Sequence, residues 1–186
     1  LFEHDNPPMT LSFKQSGDTI FLLGETFNEI GGTEYLKQIH RKVKGLPPQL
    51  TLKTEKTLQD TLINLIEHEL VNSAHDLSDG GLLVAIIESL DENKLGVEIS
   101  LSKNHSLRLD SLLFGESQSR VLVSVAPDKI KAFEKATTLL PVQRIGQVRA
   151  SHNVKVNVDD VPILVASADV LLDLYDNAIG KIMGHA

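Results

Sequence analysis

Two carboxylates, a histidine, hydroxyls and a glycine pair lie in one short segment, Ser73-Ala74-His75-Asp76-Leu77-Ser78-Asp79-Gly80-Gly81-Leu82. A Gly-Gly pair at the start of a helix lets the backbone approach a ligand closely, and the free N–H groups there suit a phosphate. Two acidic side chains in the same turn would repel that phosphate unless a cation lay between them. Because Mg²⁺ is commonly held by one or two carboxylates together with substrate phosphates, the segment has the composition of a magnesium–phosphate site.

The same residues also have an ordinary structural interpretation. Asp, Ser and Gly are the usual residues of helix N-caps and tight turns, so Ser78 or Asp79 could simply cap the following helix. A histidine beside an aspartate, such as His75, is typical of a hydrogen-bonded structural residue, and no nucleophile in the sequence is visibly tied to it. Spacing alone leaves both interpretations open and identifies no catalytic residue.

Two apolar helices are predicted to hold this turn from both sides. Before the turn, apolar residues recur at helical spacing and predict an amphipathic helix over about 54–70. After the turn, a second apolar pattern predicts a buried helix over 82–90.

The rest of the chain alternates between strand and helix patterns. Period-two alternation and turn residues predict strands over 10–15, 19–23, 96–101, 120–125, 143–149, 154–158 and 161–165, with hairpins about Ser16-Gly17-Asp18 and Asp159-Asp160 and an interruption at Gly146. Further helices are predicted after a Thr33 cap and over 108–114, 128–139 and 168–179, the third starting at Pro127 and the last ending at Gly180. Because strands and helices alternate in no strict parallel rhythm, we expect an α+β fold.

Composition limits the classes of protein to which the chain can belong. Its 186 residues fit one large domain, and we expect residues 1–186 to form a single domain cut from a longer chain. A net charge of -7 argues against a nucleic-acid surface, and no segment approaches the apolar run of a membrane helix. The absence of cysteine is compatible with a reducing compartment, so we expect a cytoplasmic protein.

The 73–82 segment resembles a known family when it is taken together with two others, Gly31-Gly32-Thr33-Glu34-Tyr35-Leu36 and Leu113-Phe114-Gly115-Glu116-Ser117-Gln118-Ser119-Arg120. All three are similar to the last domain of the synthetase subunit in the phosphoribosylformylglycinamidine synthases, which are related to AIR synthetase. The resemblance is clear from about residue 17 to residue 120. It implies a mixed sheet covered by helices, like the C-terminal domain of AIR synthetase and in part ferredoxin-like.

The resemblance also implies an activity and partners. The family converts formylglycinamide ribonucleotide to its amidine with ATP and glutamine-derived ammonia, in purine synthesis. The general acid/base and the residues that hold the reactive ATP lie chiefly in earlier domains, so we expect this chain to be inactive alone. The implied partners are the upstream domains of the same subunit, a glutaminase subunit and a small accessory subunit.

Site residues follow from the same resemblance. In larger single-chain relatives, the turn that matches 76–81 helps to hold a second Mg-nucleotide. This assigns the carboxylates of Asp76 and Asp79 to Mg²⁺, and assigns Ser78, Gly80 and Gly81 to ATP or ADP.

The turn that matches 115–118 contacts the substrate in the sister half of the family's subunit. By this indirect route Glu116, Ser117 and Gln118 are assigned to substrate. The alternative is an ion pair of Glu116 with Arg120 or Arg108 that orders the turn. For the whole chain, the alternative is a non-catalytic interaction domain that frames a Mg-nucleotide site or docks neighbouring domains.

Overall fold

The structure is a computed structural model that describes residues 8–90, 94–103 and 106–184. Helices and strands follow in the order β1 (Thr19–Leu23), α1 (Glu34–His40), α2 (Leu52–Glu67), β2 (Ser73–Asp76), α3 (Gly81–Glu88), β3 (Gly96–Leu101), α4 (Leu109–Phe114), β4 (Val121–Val125), α5 (Ile130–Ala136), β5 (Val142–Arg149), β6 (Asn153–Val158), β7 (Val161–Ser167), α6 (Ala168–Asp176) and α7 (Ala178–Ile182). Within these described ranges, no helix combines the length and the apolar character that crossing a membrane requires.

The strands form one mixed sheet of seven, in the order β2-β4-β1-β5-β3-β6-β7. Neighbouring strands are antiparallel except β3 and β6, which are parallel. The short strand β1 lies inside the sheet, between β4 and β5, and all of its residues are buried. This arrangement confirms the α+β class and the mixed sheet.

Helices cover both faces of the sheet. Successive residues of a strand point to opposite faces, so Ile20 of β1 packs in one apolar cluster and Phe21 in another. The first cluster includes residues of α3, α4 and α6, and the second includes residues of α2 and α5. Because neither layer is complete without the sheet, the helices and strands depend on each other for burial of apolar surface.

The sheet edge brings the two predicted site segments together. Strand β2 pairs with β4 so that Asp76 lies opposite Val121. Directly beyond this pair, the N–H of Leu77 donates to the carbonyl oxygen of Arg120 at 3.1 Å. The turn after β2 therefore lies beside the 115–120 segment that precedes β4.

The predicted strand over 10–15 and its hairpin with 19–23 are wrong. Residues 10–15 are irregular, because both edges of β1 are already paired with β4 and β5. The segment is held by single contacts instead: Phe13 is buried and its N–H donates to Ser89, while the carbonyl oxygen of Thr10 accepts from Ala74.

Three further predictions need correction, two at the ends of helices and one inside a strand. The helix expected over 128–139 is limited to α5, which begins after the 126–129 turn that contains Pro127. The single helix expected over 168–179 is divided into α6 and α7 at Asn177, whose side-chain amide donates back to Asp173 at 2.8 Å. Gly180 lies inside α7 and does not end it. The interruption expected at Gly146 is a shift in the register between β1 and β5 within a continuous strand.

Candidate functional site

The segment from 73 to 82 is a strand, a turn and a helix start, and so is not the one turn that the sequence suggests. Residues 73–76 form β2, and α3 begins at Gly81. Between them, Leu77 is buried and anchors the turn to the core, whereas Ser78 and Asp79 are exposed. Gly80 has φ 85, in the left-handed region that favours glycine, and this lets the chain turn sharply into α3.

The acidic side of the turn faces solvent. The Asp76 side chain is 83% exposed, and its Oδ1 lies 3.8 Å from Nδ1 of His75. The pKa of Lys37 is raised mainly by its hydrogen bond to Glu34 and by the charge of Glu34. The nearby charge of Asp79 also favours the charged form of Lys37. In the described ranges, no group of three or more His, Cys, Asp or Glu side chains is placed to hold a metal ion. The carboxylates of Asp76 and Asp79 are both exposed, and their contact with Mg²⁺ stays a prediction.

The backbone N–H groups of the glycine pair already have acceptors. Gly80 donates to Oε1 of Glu116 at 2.9 Å, and Gly81 donates to the carbonyl oxygen of Ser78 at 3.1 Å. The predicted cap by Ser78 or Asp79 is wrong, because the N-cap residue is Gly80 and no side chain of the turn caps α3. The side chain that accepts from the Gly80 N–H is Glu116, in a distant segment.

The 115–118 turn is mostly directed inward. Glu116 is 9% exposed, and its Oε1 also accepts from the N–H of Glu34 at 2.9 Å. Ser117 is buried, and its hydroxyl accepts from the N–H of Phe27. The exposed member of the three predicted residues is Gln118, whose side chain donates to the Glu116 carbonyl oxygen.

Gln118 also lines a cavity of about 430 Å³ together with Lys53, Thr54 and Ser119. Polar groups in a concave site are the usual means by which a ligand is oriented. Contact of Glu116, Ser117 and Gln118 with substrate stays a prediction, and Gln118 is the one best placed to make it.

The predicted ion pairs of Glu116 are not the ones observed. Arg108 pairs with Asp110 at 2.6 Å, and the buried Arg120 donates to carbonyl oxygens. Its Nε reaches Ser117 at 2.8 Å and its Nη2 reaches Gly115 at 2.6 Å. Burial lowers the pKa of Arg120 to about 10, against the opposing effect of Glu29 and Glu116. Arg120 therefore fixes the backbone on both sides of Glu116.

A second network, at the edge of the same turn, was not found in the sequence. His75 on β2 bonds through Nε2 to Oε2 of Glu88 on α3 at 2.8 Å, and Oε1 of Glu88 accepts from the Tyr175 hydroxyl on α6 at 2.8 Å. This bears out the structural interpretation of His75. The sequence carries only a weak sign of this network, because Glu88 and Tyr175 each look like ordinary polar positions on amphipathic helices.

Comparison with known proteins places this geometry in a family. Residues 15–159 match the family described as AIR synthase related protein, C-terminal domain. Phosphoribosylformylglycinamidine synthase subunit PurL of Caldanaerobacter subterraneus subsp. tengcongensis is 41% identical over 181 residues, which are 96% of this chain and 24% of that protein. The chain therefore spans about a quarter of the length of such relatives.

Solved structures show the same fold. PurL of Thermotoga maritima complexed with FGAR superposes with a TM-score of 0.77 at 21% identity, over 88% of this chain and 29% of that one. HypE of E. coli, a hydrogenase maturation protein, superposes with a TM-score of 0.58 at 15% identity, over 86% of this chain and 52% of that one. The chain belongs to the AIR synthase related proteins, as a C-terminal domain of that family.

Proposed function

We propose that this chain is the terminal domain of a phosphoribosylformylglycinamidine synthase subunit and frames a Mg-nucleotide site at its 76–81 turn. The observation that carries the proposal is that Asp76, Ser78 and Asp79 are exposed, whereas Leu77 and Gly81 of the same turn are buried and hold it to the core. Relatives about 40% identical are named as that enzyme's PurL subunit, and related solved structures carry ATP or ADP. The reaction is the conversion of formylglycinamide ribonucleotide to its amidine with ATP and ammonia.

In this proposal the turn provides negative charge and a hydroxyl. Asp76 and Asp79 hold Mg²⁺, which neutralises their repulsion of the nucleotide phosphates, and Ser78 donates to a phosphate oxygen. Gly80 and Gly81 leave the backbone bare, so that the phosphates can come close. Because the N–H groups of both glycines are already bonded, the cation and Ser78 are the main contacts.

Partners and activity complete the proposal. The other domains of the subunit supply the catalytic groups. A glutaminase subunit supplies ammonia, and a small accessory subunit takes part in assembly of the complex. A related structure of PurLQS from Thermotoga maritima is consistent with such partners. The chain alone folds as one domain and does not form amidine. Turnover of formylglycinamide ribonucleotide by the purified chain, or unfolding without a cooperative transition, would contradict this.

The test is Mg-ADP binding at a second site, beyond that of the other domains, measured by calorimetric stoichiometry and by the thermal midpoint in a protein that carries the other PurL domains beside this one. A ligand that binds the folded state raises its apparent stability. Asp76→Asn keeps the shape but removes the charge, so affinity should fall by at least the ~10-fold that loss of even an outer partner of a metal site costs. Asp60→Asn, an exposed change on α2, is the matched control and should leave binding unchanged.

The outcomes of this titration separate the role of Asp76 from the existence of the site. Equal affinity of parent and Asp76→Asn refutes the ligand role of Asp76 and leaves Asp79 as the remaining carboxylate. Binding of Mg-ADP by the parent at the site of the other domains alone refutes the nucleotide site at the 76–81 turn. Stability of Asp76→Asn should change by at most about 1 kcal/mol, because the side chain is exposed.

A non-catalytic docking domain is the second candidate. Exposed apolar side chains on α7 and just after it favour this function, among them Ile179 at 73% and Ile182 at 86% exposure. A docking domain without a nucleotide site would show the same Mg-ADP affinity in the parent and in a protein that lacks this domain.

A further inference from the structure

One carboxylate oxygen holds the beginnings of two helices. Oε1 of Glu116 accepts from the N–H of Gly80, which precedes α3, and from the N–H of Glu34, the first residue of α1. Both distances are 2.9 Å. The first N–H groups of a helix lack partners within the helix, and an anion there is stabilised by the helix dipole.

The position of Glu116 is fixed from its own side. Arg120 donates to the carbonyl oxygens of Gly115 and Ser117, the residues before and after Glu116. Glu116 and Arg120 are both buried, so water screens their charges poorly. Glu116 is therefore a rigid acceptor, and movement of its backbone would break the contacts of a buried guanidinium.

The 76–81 turn depends on this acceptor. The described side chains of the turn provide no cap for α3. A Cβ atom added at Gly81 would lie 2.5 Å from the carbonyl oxygen of Gly115, so the backbone of the turn is in direct contact with the Glu116 segment. The location of the turn is set by contacts outside it.

We propose that Glu116 is the positioning residue of the 76–81 turn and couples that turn to the start of α1. Its role toward this turn is to hold the backbone, and the Mg-nucleotide is contacted by other residues. The consequence rests on the proposed Mg-nucleotide site: occupancy of the turn is transmitted through Glu116 to residues 33–34.

Amide hydrogen exchange, followed by NMR, tests this directly. Glu116→Gln keeps the size of the side chain and removes its charge, and charge-assisted hydrogen bonds are about twice as strong as neutral ones. The amides of Gly80 and Glu34 should both exchange about 10-fold faster or more, relative to the Ile99 amide in β3. Ser117→Ala is the matched control in the same loop and should accelerate the Phe27 amide only. Acceleration of one amide alone, or of neither, overturns the proposal.

A measurement on the unmodified chain covers the case in which the variant does not fold. If one contact holds both amides, Gly80 and Glu34 exchange through a common opening and have the same dependence on low concentrations of urea. Different dependences overturn the coupling.

The ligand experiment separates this proposal from the proposed function. Mg-ADP should slow exchange at both Gly80 and Glu34 in the parent, and at Gly80 alone in Glu116→Gln. Slowing at Gly80 alone in the parent overturns the coupling. Absence of Mg-ADP binding refutes the nucleotide site, and the two ligand-free measurements then decide the role of Glu116.

Discussion

Oε2 of Glu88 lies 2.8 Å from Nε2 of His75, so a carboxylate on α3 is bonded to the histidine of the edge strand β2. The other oxygen of Glu88 accepts from the Tyr175 hydroxyl. One side chain thus joins the strand that leads into the candidate site to a helix near the end of the chain. This contact adds a polar link between α3 and α6, which also pack together in one apolar cluster.

The first prediction concerns Tyr175. Its pKa is raised from 10.0, first by the hydrogen bond to Glu88 and then by burial. Glu88→Gln should lower this pKa toward 10.0, as measured by alkaline titration of tyrosine absorbance in a Tyr35→Phe background, which leaves one tyrosine. Glu98→Gln, on the exposed part of β3, is the control. An unchanged pKa in Glu88→Gln would contradict the network.

This pKa shift also has a consequence for stability. The protonated hydroxyl is the donor, so its contribution is fully present below the unfolded pKa of about 10 and is lost as pH rises through the folded pKa. Tyr175→Phe should remove this alkaline loss, which urea unfolding at increasing pH would measure.

The second prediction concerns Asp18, which is buried at the start of β1. Its Oδ2 accepts from Asn72 at 2.8 Å, whereas Oδ1 has no hydrogen-bond partner among the described residues. Burial raises its pKa from 3.8, with Asn72 opposing the change. The fold favours the neutral carboxyl, so this stability is full below pH 3.8 and is lost as pH rises through the folded pKa.

Asp18→Asn should lack this loss. Compared with the parent, the variant should gain free energy of unfolding as pH rises from 3.8 toward neutrality, as measured by urea unfolding at several pH values. Asp79→Asn, which changes an exposed carboxylate, should follow the parent. Parallel pH profiles of Asp18→Asn and the parent would show that Asp18 does not titrate abnormally.

The third prediction concerns Arg120, which is 2% exposed and bonds to Ser117, Gly115 and Thr26. Lysine keeps the charge but cannot reach three acceptors from one planar group. Arg120→Lys should therefore cost about 3 kcal/mol or more of stability, because buried carbonyl oxygens lose charged donors. Arg149→Lys, at an exposed pair with Glu98, should cost far less. Similar costs for the two variants in urea unfolding would refute the anchoring role.

Local elements could be predicted from the sequence. Helix α2 and strands β3 and β6 follow from side-chain periodicity, which is a property of neighbouring residues. Asp76, Ser78 and Asp79 are exposed, and the ligand turn expected from their types stays a prediction. The parallel pairing of β3 with β6 and the position of β1 depend on long-range pairing, which periodicity does not encode.

The contacts of Glu116 could not be predicted for the same reason. Its two donors, Gly80 and Glu34, lie in other segments, and the pattern around Glu116 suggests only a polar turn. The cap expected from Ser78 or Asp79 does not form, because the N-cap residue is Gly80, whose own N–H donates to Glu116. A carboxylate in the turn before a strand has no local signature of the distant backbone N–H groups from which it will accept.

The fourth prediction compares two glycines with similar backbones. Gly81 and Gly17 have φ 68 and φ 97, but a Cβ at Gly81 would meet Gly115, whereas a Cβ at Gly17 would meet nothing within 4 Å. Gly17→Ala should cost about 1 kcal/mol for the left-handed backbone. Gly81→Ala should cost about 3 kcal/mol, because it adds a clash with backbone. Equal costs by urea unfolding would show that the turn moves freely away from Gly115.

The central place of β1 also determines when the protein can fold during its synthesis. Residues 19–23 leave the ribosome before their partners β4 and β5, which are completed only at residues 125 and 149. Until then Phe21 and Leu23 have no strand beside them, and a nascent chain that stops short of β5 exposes an apolar, unpaired strand. Translation pauses between residues 23 and 149 should therefore favour aggregation or chaperone binding, because the middle of the sheet is complete only after β5 has been made.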